Sequence, residues 1–156
     1  MNKESLSIPE DYVEFDVEKE EWGALKLKDG AIIKVKFVLI SLRKASKEGY
    51  DANAQTLIGA LVPKPLRGSP SARKYSEEEL RKSIIDYDVG FEVIKEPRSI
   101  YKLSDGNRLI VRVIVSQVMK TDKFNPRGEP IYIVQWTTAV KILPIEHKLS
   151  KSNQTP

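Results

Sequence analysis

Cysteine is absent from this chain, and histidine occurs once, at His147. The first absence excludes a disulfide framework and thiolate chemistry. The second excludes a Ser-His-acid set unless His147 serves it, and that residue sits in a polar tail with no orienting partner in sequence. There is no Gly-rich phosphate loop, no His-x-x-x-His spacing and no His or Cys metal cluster. No run of eighteen apolar residues exists to cross a membrane. The opening MNKESLSIPEDYVEFD lacks the apolar core of a signal peptide. A cytoplasmic protein is expected, and the Asn153 N-x-T sequon is then idle. No cofactor is expected.

What is present is charge, unevenly laid out. Residues 1–22 hold eight acids against Lys3 and Lys19, a balance of −6, within a chain whose total is +4; the remainder therefore carries +10. Such asymmetry points to an anionic partner, or to an acidic segment that neutralises the chain's own basic strands.

The chain also repeats itself. Residues 12–45 laid over 88–121, with a shift of 76 and no gap, match at eleven of 34 positions. The identities include Val13/Val89, Phe15/Phe91, Lys26/Lys102, Leu27/Leu103, Asp29/Asp105, Gly30/Gly106 and Lys44/Lys120. Ordinary composition gives about two matches by chance. The repeat is expected to continue, once two residues are dropped, with YDANA (50–54) over FNPRG (124–128).

Each copy reads as strands. In residues 12–18, Val13, Phe15 and Val17 alternate with Glu14, Asp16 and Glu18, the pattern of a half-buried strand. A hairpin follows, with Asp29-Gly30 or Asp105-Gly106 at its turn. A three-residue loop sets Leu25 opposite Ile33 and Leu27 opposite Ala31, whereas a two-residue loop mixes apolar with charged residues. The same register buries Tyr101, Leu103, Leu109 and Val111. Residues 31–44 and their counterparts through Val113–Val118 are apolar on both faces near the middle, as in a strand that is covered twice or bent at a bulge. These two strands are expected at the centre of the core. Strands at 56–62 and 131–143 close the copies, the second after an Asn125-Pro-Arg-Gly128 turn.

Between the copies, residues 63–74 hold three prolines and four bases, a surface connector without regular structure. Ser76 and Glu79 then form a capping box for one short helix. The expected fold is mainly β: an internally duplicated four-stranded meander forming one compact barrel or sandwich, with two small barrels of OB or SH3 type as the alternative. The 156 residues form a single domain, with a first repeat over 10–63, connector and helix over 64–86, a second repeat over 87–144 and a loose tail over 145–156.

The candidate residues for function are few. Asp29 and Asp105 are what a hairpin turn asks for, and Glu20 and Glu96 read as solvated strand ends. What remains is an outer face of Lys26, Lys34, Lys36, Arg98, Lys102, Arg108 and Arg112, with Trp22 among the lysines and Lys64, Arg67, Arg73 and Lys74 on the connector. Lys and Arg on a β-ribbon track phosphates, and an exposed Trp stacks a base. Against this, Glu14, Asp16 and Glu18 on the neighbouring strand would pair with Lys26 or Lys34 and consume much of the basic ribbon; the second copy has Gly90, Glu92 and Ile94 there, so one acid faces four bases and the objection is weaker. The expectation is a non-enzymatic binding protein whose partner is DNA or RNA. The alternative is an assembly module, binding another protein or itself through Ile32, Ile100 and Ile110 or through edge strands. An enzyme would need a deep pocket with a buried carboxylate.

Overall fold

The computed structural model describes residues 8–45 and 49–146. His147, Asn153 and most of the tail lie outside these residues. Among the described residues nine strands and one α-helix follow in order: β1 (Phe15–Glu20), β2 (Gly23–Leu27), β3 (Ile32–Lys44), β4 (Tyr50–Leu61), α1 (Glu77–Lys82), β5 (Ile84–Asp86), β6 (Phe91–Lys95), β7 (Arg98–Leu103), β8 (Asn107–Phe124) and β9 (Pro130–Pro144). They form two antiparallel sheets. One runs β4-β3-β2-β6; the other runs β1-β7-β8-β5, with β9 on the remaining edge of β8. No described helix is long and apolar enough to cross a membrane.

The hairpins have the register that the alternation requires. Leu25 faces Ile33 and Tyr101 faces Leu109. Gly30 and Gly106 take positive φ of 100° and 93°, the left-handed conformation that a side chain disfavours. Asp29 and Asp105 each accept the backbone N–H two residues on, at 2.9 and 3.1 Å. β3 and β8 run through the middle of their sheets, and each is bulged, at Ile40 and Ser116. Those positions are 76 apart. The bulge is how one strand remains apolar on two faces: the core parity is carried by Ile33, Val35, Phe37 and Leu39 before it and by Leu42 after it.

The first strand of each half departs from a meander. β1 pairs with β7, not β2, and β6 pairs with β2, not β7. The two exchanges have matching registers: Phe15 faces Leu103 and Phe91 faces Leu27; Val17 faces Tyr101 and Val93 faces Leu25. Both also carry a bulge, at Glu18 and at Ile94. One hydrophobic cluster draws on both sheets, with Leu25, Leu27, Ile33 and Val35 from one and Tyr101, Leu103, Val111 and Val113 from the other. Val17 was expected inside but is 53% exposed, because β1 is an edge strand whose pairing shifts at the next residue.

Other expectations change in detail. Tyr50 pairs with Lys44, Tyr132 with Lys120 and Phe124 with Pro130, so the β8–β9 hairpin, counted from its lysine, spans twelve residues where the β3–β4 hairpin spans six. The connector is not irregular throughout. It makes a 3-10 turn at Lys64–Leu66 and is tied to the β8–β9 loop, where the Gly68 and Ser71 N–H groups donate to the Gly128 and Asn125 carbonyls at 2.8 and 3.1 Å. Three residues read as connector form β5, which pairs with β8. The capping box on α1 is present in both directions, at 3.0 and 3.1 Å.

Candidate nucleic-acid interface

The exchange of first strands decides which basic residues have acidic neighbours. β1 brings its acids to the second hairpin. Asp16 lies opposite Lys102. Glu18, projected from the β1 bulge, grips Arg108 through two bonds of 2.6 and 3.4 Å, and the arginine side chain is only 12% exposed. Glu96 binds Arg112 in the same two-pronged way, at 2.9 and 2.6 Å. The Arg112 guanidinium holds the Glu96 carboxyl below the usual carboxylate range, and Glu96 in turn raises Arg112. Arg98 is half-buried, with a buried Nε that meets no hydrogen-bond partner among the described residues. The expectation that the second copy's bases are the less neutralised is thus reversed: Arg108 is held by Glu18 of β1, and Arg112 by Glu96, the residue that follows β6.

The first hairpin keeps more of its charge. Lys26 lies opposite Glu92 on β6, and Lys95 pairs with Glu21 at 3.2 Å. Lys34 and Lys36 meet no carboxylate among the described residues. Their ammonium groups instead stand 5.3 and 5.7 Å from the centre of the Trp22 ring, within reach of its negative face. Trp22 is 38% exposed. The registers place Lys34 beside Gly59 and Lys36 beside Leu57, and open space lies above Gly59. Lys34, Lys36 and the exposed Trp22 thus form a basic and aromatic patch on the outer side of this sheet.

The connector bases do not join that patch. Lys64 follows β4, whose last residue, Leu61, pairs with Ile32 at the turn end of the hairpin, whereas Trp22 sits by Lys36 at the other end. Arg67 donates to the Val62 carbonyl at 3.2 Å. Arg73 is bonded to Glu79 and lies over the Tyr75 ring. Lys74 is exposed.

The apolar assembly positions also change. Ile100 and Ile110 were expected on the outer face and do lie there, but they are 7% and 4% exposed. They face each other across β7 and β8 and are flanked in register by Lys19 and Lys141, whose aliphatic stems are their neighbours on the row. Ile32 is half-buried.

Two polar knots were not legible from composition. Asp29 accepts bonds from the Tyr132 hydroxyl at 2.7 Å and the Lys120 ammonium at 3.1 Å, in addition to its turn bond. Burial pushes the Asp29 carboxyl up, but these three donors outweigh it and hold the group below the usual range. The counterpart is Asp105, bonded to the Tyr50 hydroxyl, which also accepts from Asn107. Each turn aspartate is thus held by a tyrosine of the opposite sheet. Glu20 and Glu96 are not solvated ends: Glu20 accepts from the fully buried Tyr101 hydroxyl at 2.5 Å, and that oxygen also receives the Leu39 N–H at 3.2 Å. A cleft of about 520 Å³ adjoins Asp29, lined also by Asp86, Asp88 and Lys120. No group of three metal-ligating side chains is present among the described residues. No protein-family model, curated protein or solved structure matches the chain.

Proposed function

We propose that this protein is a non-enzymatic nucleic-acid binder, and that the contact is made by the outer face of β2 and β3 through Lys34, Lys36 and Trp22, with Lys26 at its margin. The observation that carries the reading is the contrast between the two hairpins. Arg108 and Arg112 are committed to carboxylates, while Lys34 and Lys36 have only the exposed indole between them and solvent. Ammonium groups on a flat ribbon suit phosphates, and an indole among them suits a base. Arg98, Lys102, Arg108 and Arg112 then serve the sheet and not the ligand.

The non-enzymatic part of the reading rests on Asp29. It lines the cleft of about 520 Å³ together with Asp86 and Asp88, and three donors hold its carboxyl below the usual range. A general acid needs the opposite shift. We also read the matching registers and matching bulges as the mark of a duplicated unit, closed into one body by reciprocal exchange of the first strand.

The experiment is fluorescence anisotropy of labelled single- and double-stranded DNA and RNA at two salt concentrations. Binding should weaken steeply with salt. Lys34→Glu with Lys36→Glu should abolish it, and replacing each by Gln should lower the salt slope by about 1.4–1.8, the share of two phosphate contacts. Arg108→Gln with Arg112→Gln should leave it unchanged. No binding at low salt, or equal losses in both pairs, refutes the assignment.

A further inference from the structure

The open edges of the two sheets are of two kinds. β1 and β6 are short, bulged and charged: four of the six β1 residues and two of the five β6 residues carry charge. β5 has three residues. Brevity, bulges and charge are the devices that keep an edge from pairing with another chain. β4 and β9 have none of them. β4 is twelve residues long with one charge, Asp51; β9 is fifteen residues long with one charge, Lys141, and its prolines stand only at its ends. The register shifts opposite β4 and β9, at Ile40, at Ser116 and between Lys120 and Phe124, put their extra residues on the inner strands β3 and β8 and not on the edges. Among the described residues β4 pairs only with β3, and β9 only with β8. Each therefore presents a row of backbone N–H and C=O groups to solvent. Leu57, Ile58 and Leu61 on β4 and Trp136, Val140 and Ile142 on β9 are all at least 39% exposed.

The two edges lie on one side of the molecule. Ala52 and Ala54 of β4 and Thr138 and Val140 of β9 line the same apolar crevice of about 330 Å³, which opens between them. An added peptide strand would satisfy one edge and leave the other. A second copy of this chain, related by a two-fold axis, brings two such edges at once and extends both sheets in one step. Edge strands without charge pair through backbone bonds with little side-chain selection against their own kind. We propose that β4 and β9 together form the interface of a closed dimer of this chain, which continues both sheets and buries the crevice.

The test is sedimentation equilibrium of the full chain across a concentration series, against the 17.7 kDa of one copy. A species of twice that mass is expected. Ile58→Lys and Val140→Lys place an ammonium at exposed positions of the two edges, and together they should raise the dissociation constant at least a hundredfold. Val17→Lys, at an exposed position of the already charged β1, should not change it. If an edge variant fails to fold, amide exchange of the unaltered protein decides: protection of β4 and β9 should rise with concentration, while that of β1 and β6 should not. A single copy at every concentration, a dimer indifferent to both lysines, or polymers that grow without limit would each overturn the closed interface. Lys34→Gln and Lys36→Gln lie on a sheet face and should leave the mass unchanged, so this result is separate from nucleic-acid binding.

Discussion

Replacing Tyr101 by phenylalanine removes one oxygen from a side chain with no solvent exposure. That oxygen joins three strands: it donates to Glu20 on β1 and receives the Leu39 N–H from β3, while its ring stands edge-on to Phe15 and Phe37 at 5.5 and 6.5 Å. In the variant the rings still pack, but the buried Leu39 N–H is left without a partner and Glu20 loses a charge-assisted bond. An unsatisfied buried donor costs about 1–3 kcal/mol, and a bond to a charged group is worth about 1.5–3. Partial hydration of Glu20 offsets some of this, so a loss of about 2–4 kcal/mol is expected near neutral pH. The pH dependence makes the test specific. Burial raises the Tyr101 hydroxyl above its ordinary range, and the bond to Glu20 raises it further. Below about pH 10 the phenol is protonated in both the folded and the unfolded chain, and its contribution is complete. Above that, the unfolded chain releases the proton and the folded chain keeps it. Fewer protons on the unfolded state mean that stability falls as pH rises, by about 1.4 kcal/mol per unit at most. Phenylalanine has no such term. Urea unfolding of both proteins at pH 8, 10, 10.5 and 11 should show a gap that is constant up to about pH 10 and narrows above it. Parallel loss of stability in the two proteins over this range would refute the network, since every other titrating group is common to both.

Three further outcomes are expected. Asp29→Asn should cost about 1.5–3 kcal/mol in urea unfolding and Asp105→Asn less, because Asp29 has the Lys120 ammonium as well as a tyrosine; the Asp29 contribution is present above about pH 4 and lost as pH falls through its lowered value, so Asp29→Asn should also flatten the acid limb. Gly23→Ala should cost about 1–3 kcal/mol or more, since its Cβ would stand 2.4 Å from Pro97, whereas Gly59→Ala, with nothing within 4 Å, should be neutral or stabilising by up to about 1 kcal/mol in the same assay. Residues 8–63 expressed alone should not give a monomer with dispersed amide resonances, because β2 would lack β6 and β1 would lack β7; a well-folded monomer would refute the dependence of each half on the other.

What the sequence made legible is what local chemistry decides. Asp-Gly in each turn and the alternation beside it fix a three-residue loop, and with it which side of Leu25, Ile33, Tyr101 and Leu109 is buried. The two-sided apolar stretch of residues 33–42 announces a strand covered twice or bent at a bulge, and the register shift at Ile40 is the second. Ser76 and Glu79 announce the helix start. The pairing partner of β1 has no such local signal. Alternation says that residues 13–17 form a half-buried strand, not which hairpin receives it, and the nearest hairpin in sequence was the natural expectation. The candidate site inherits that ambiguity, because which bases are neutralised depends wholly on where Glu18 and Glu96 fall. Ile100 and Ile110 show a related limit: parity places them outside, but they are buried there in a row that runs from Lys19 through both isoleucines to Lys141, with two strands between the lysines.

The topology turns an uneven charge sequence into two chemically different faces. Had β1 stayed with its own hairpin, its acids would have lain beside Lys26 and Lys34, and both halves would have been balanced by neighbours in sequence. Exchange instead sends the most acidic strand to the arginine-rich hairpin. There Glu18 meets the fixed fork of the Arg108 guanidinium in a charge-assisted two-pronged bond, while Arg112 makes the same kind of bond to Glu96, just after β6. The lysine-rich hairpin receives β6, whose Glu92 can answer only one of its bases. Lysine is the residue that gains least from a fixed partner and most readily gives its charge to a mobile one. The residues left unpaired by the exchange are thus of the type suited to a phosphate backbone, and they lie beside the exposed Trp22. The location of the proposed binding face follows from which strands pair with which hairpin, and the net charge of +4 alone carries no information about it.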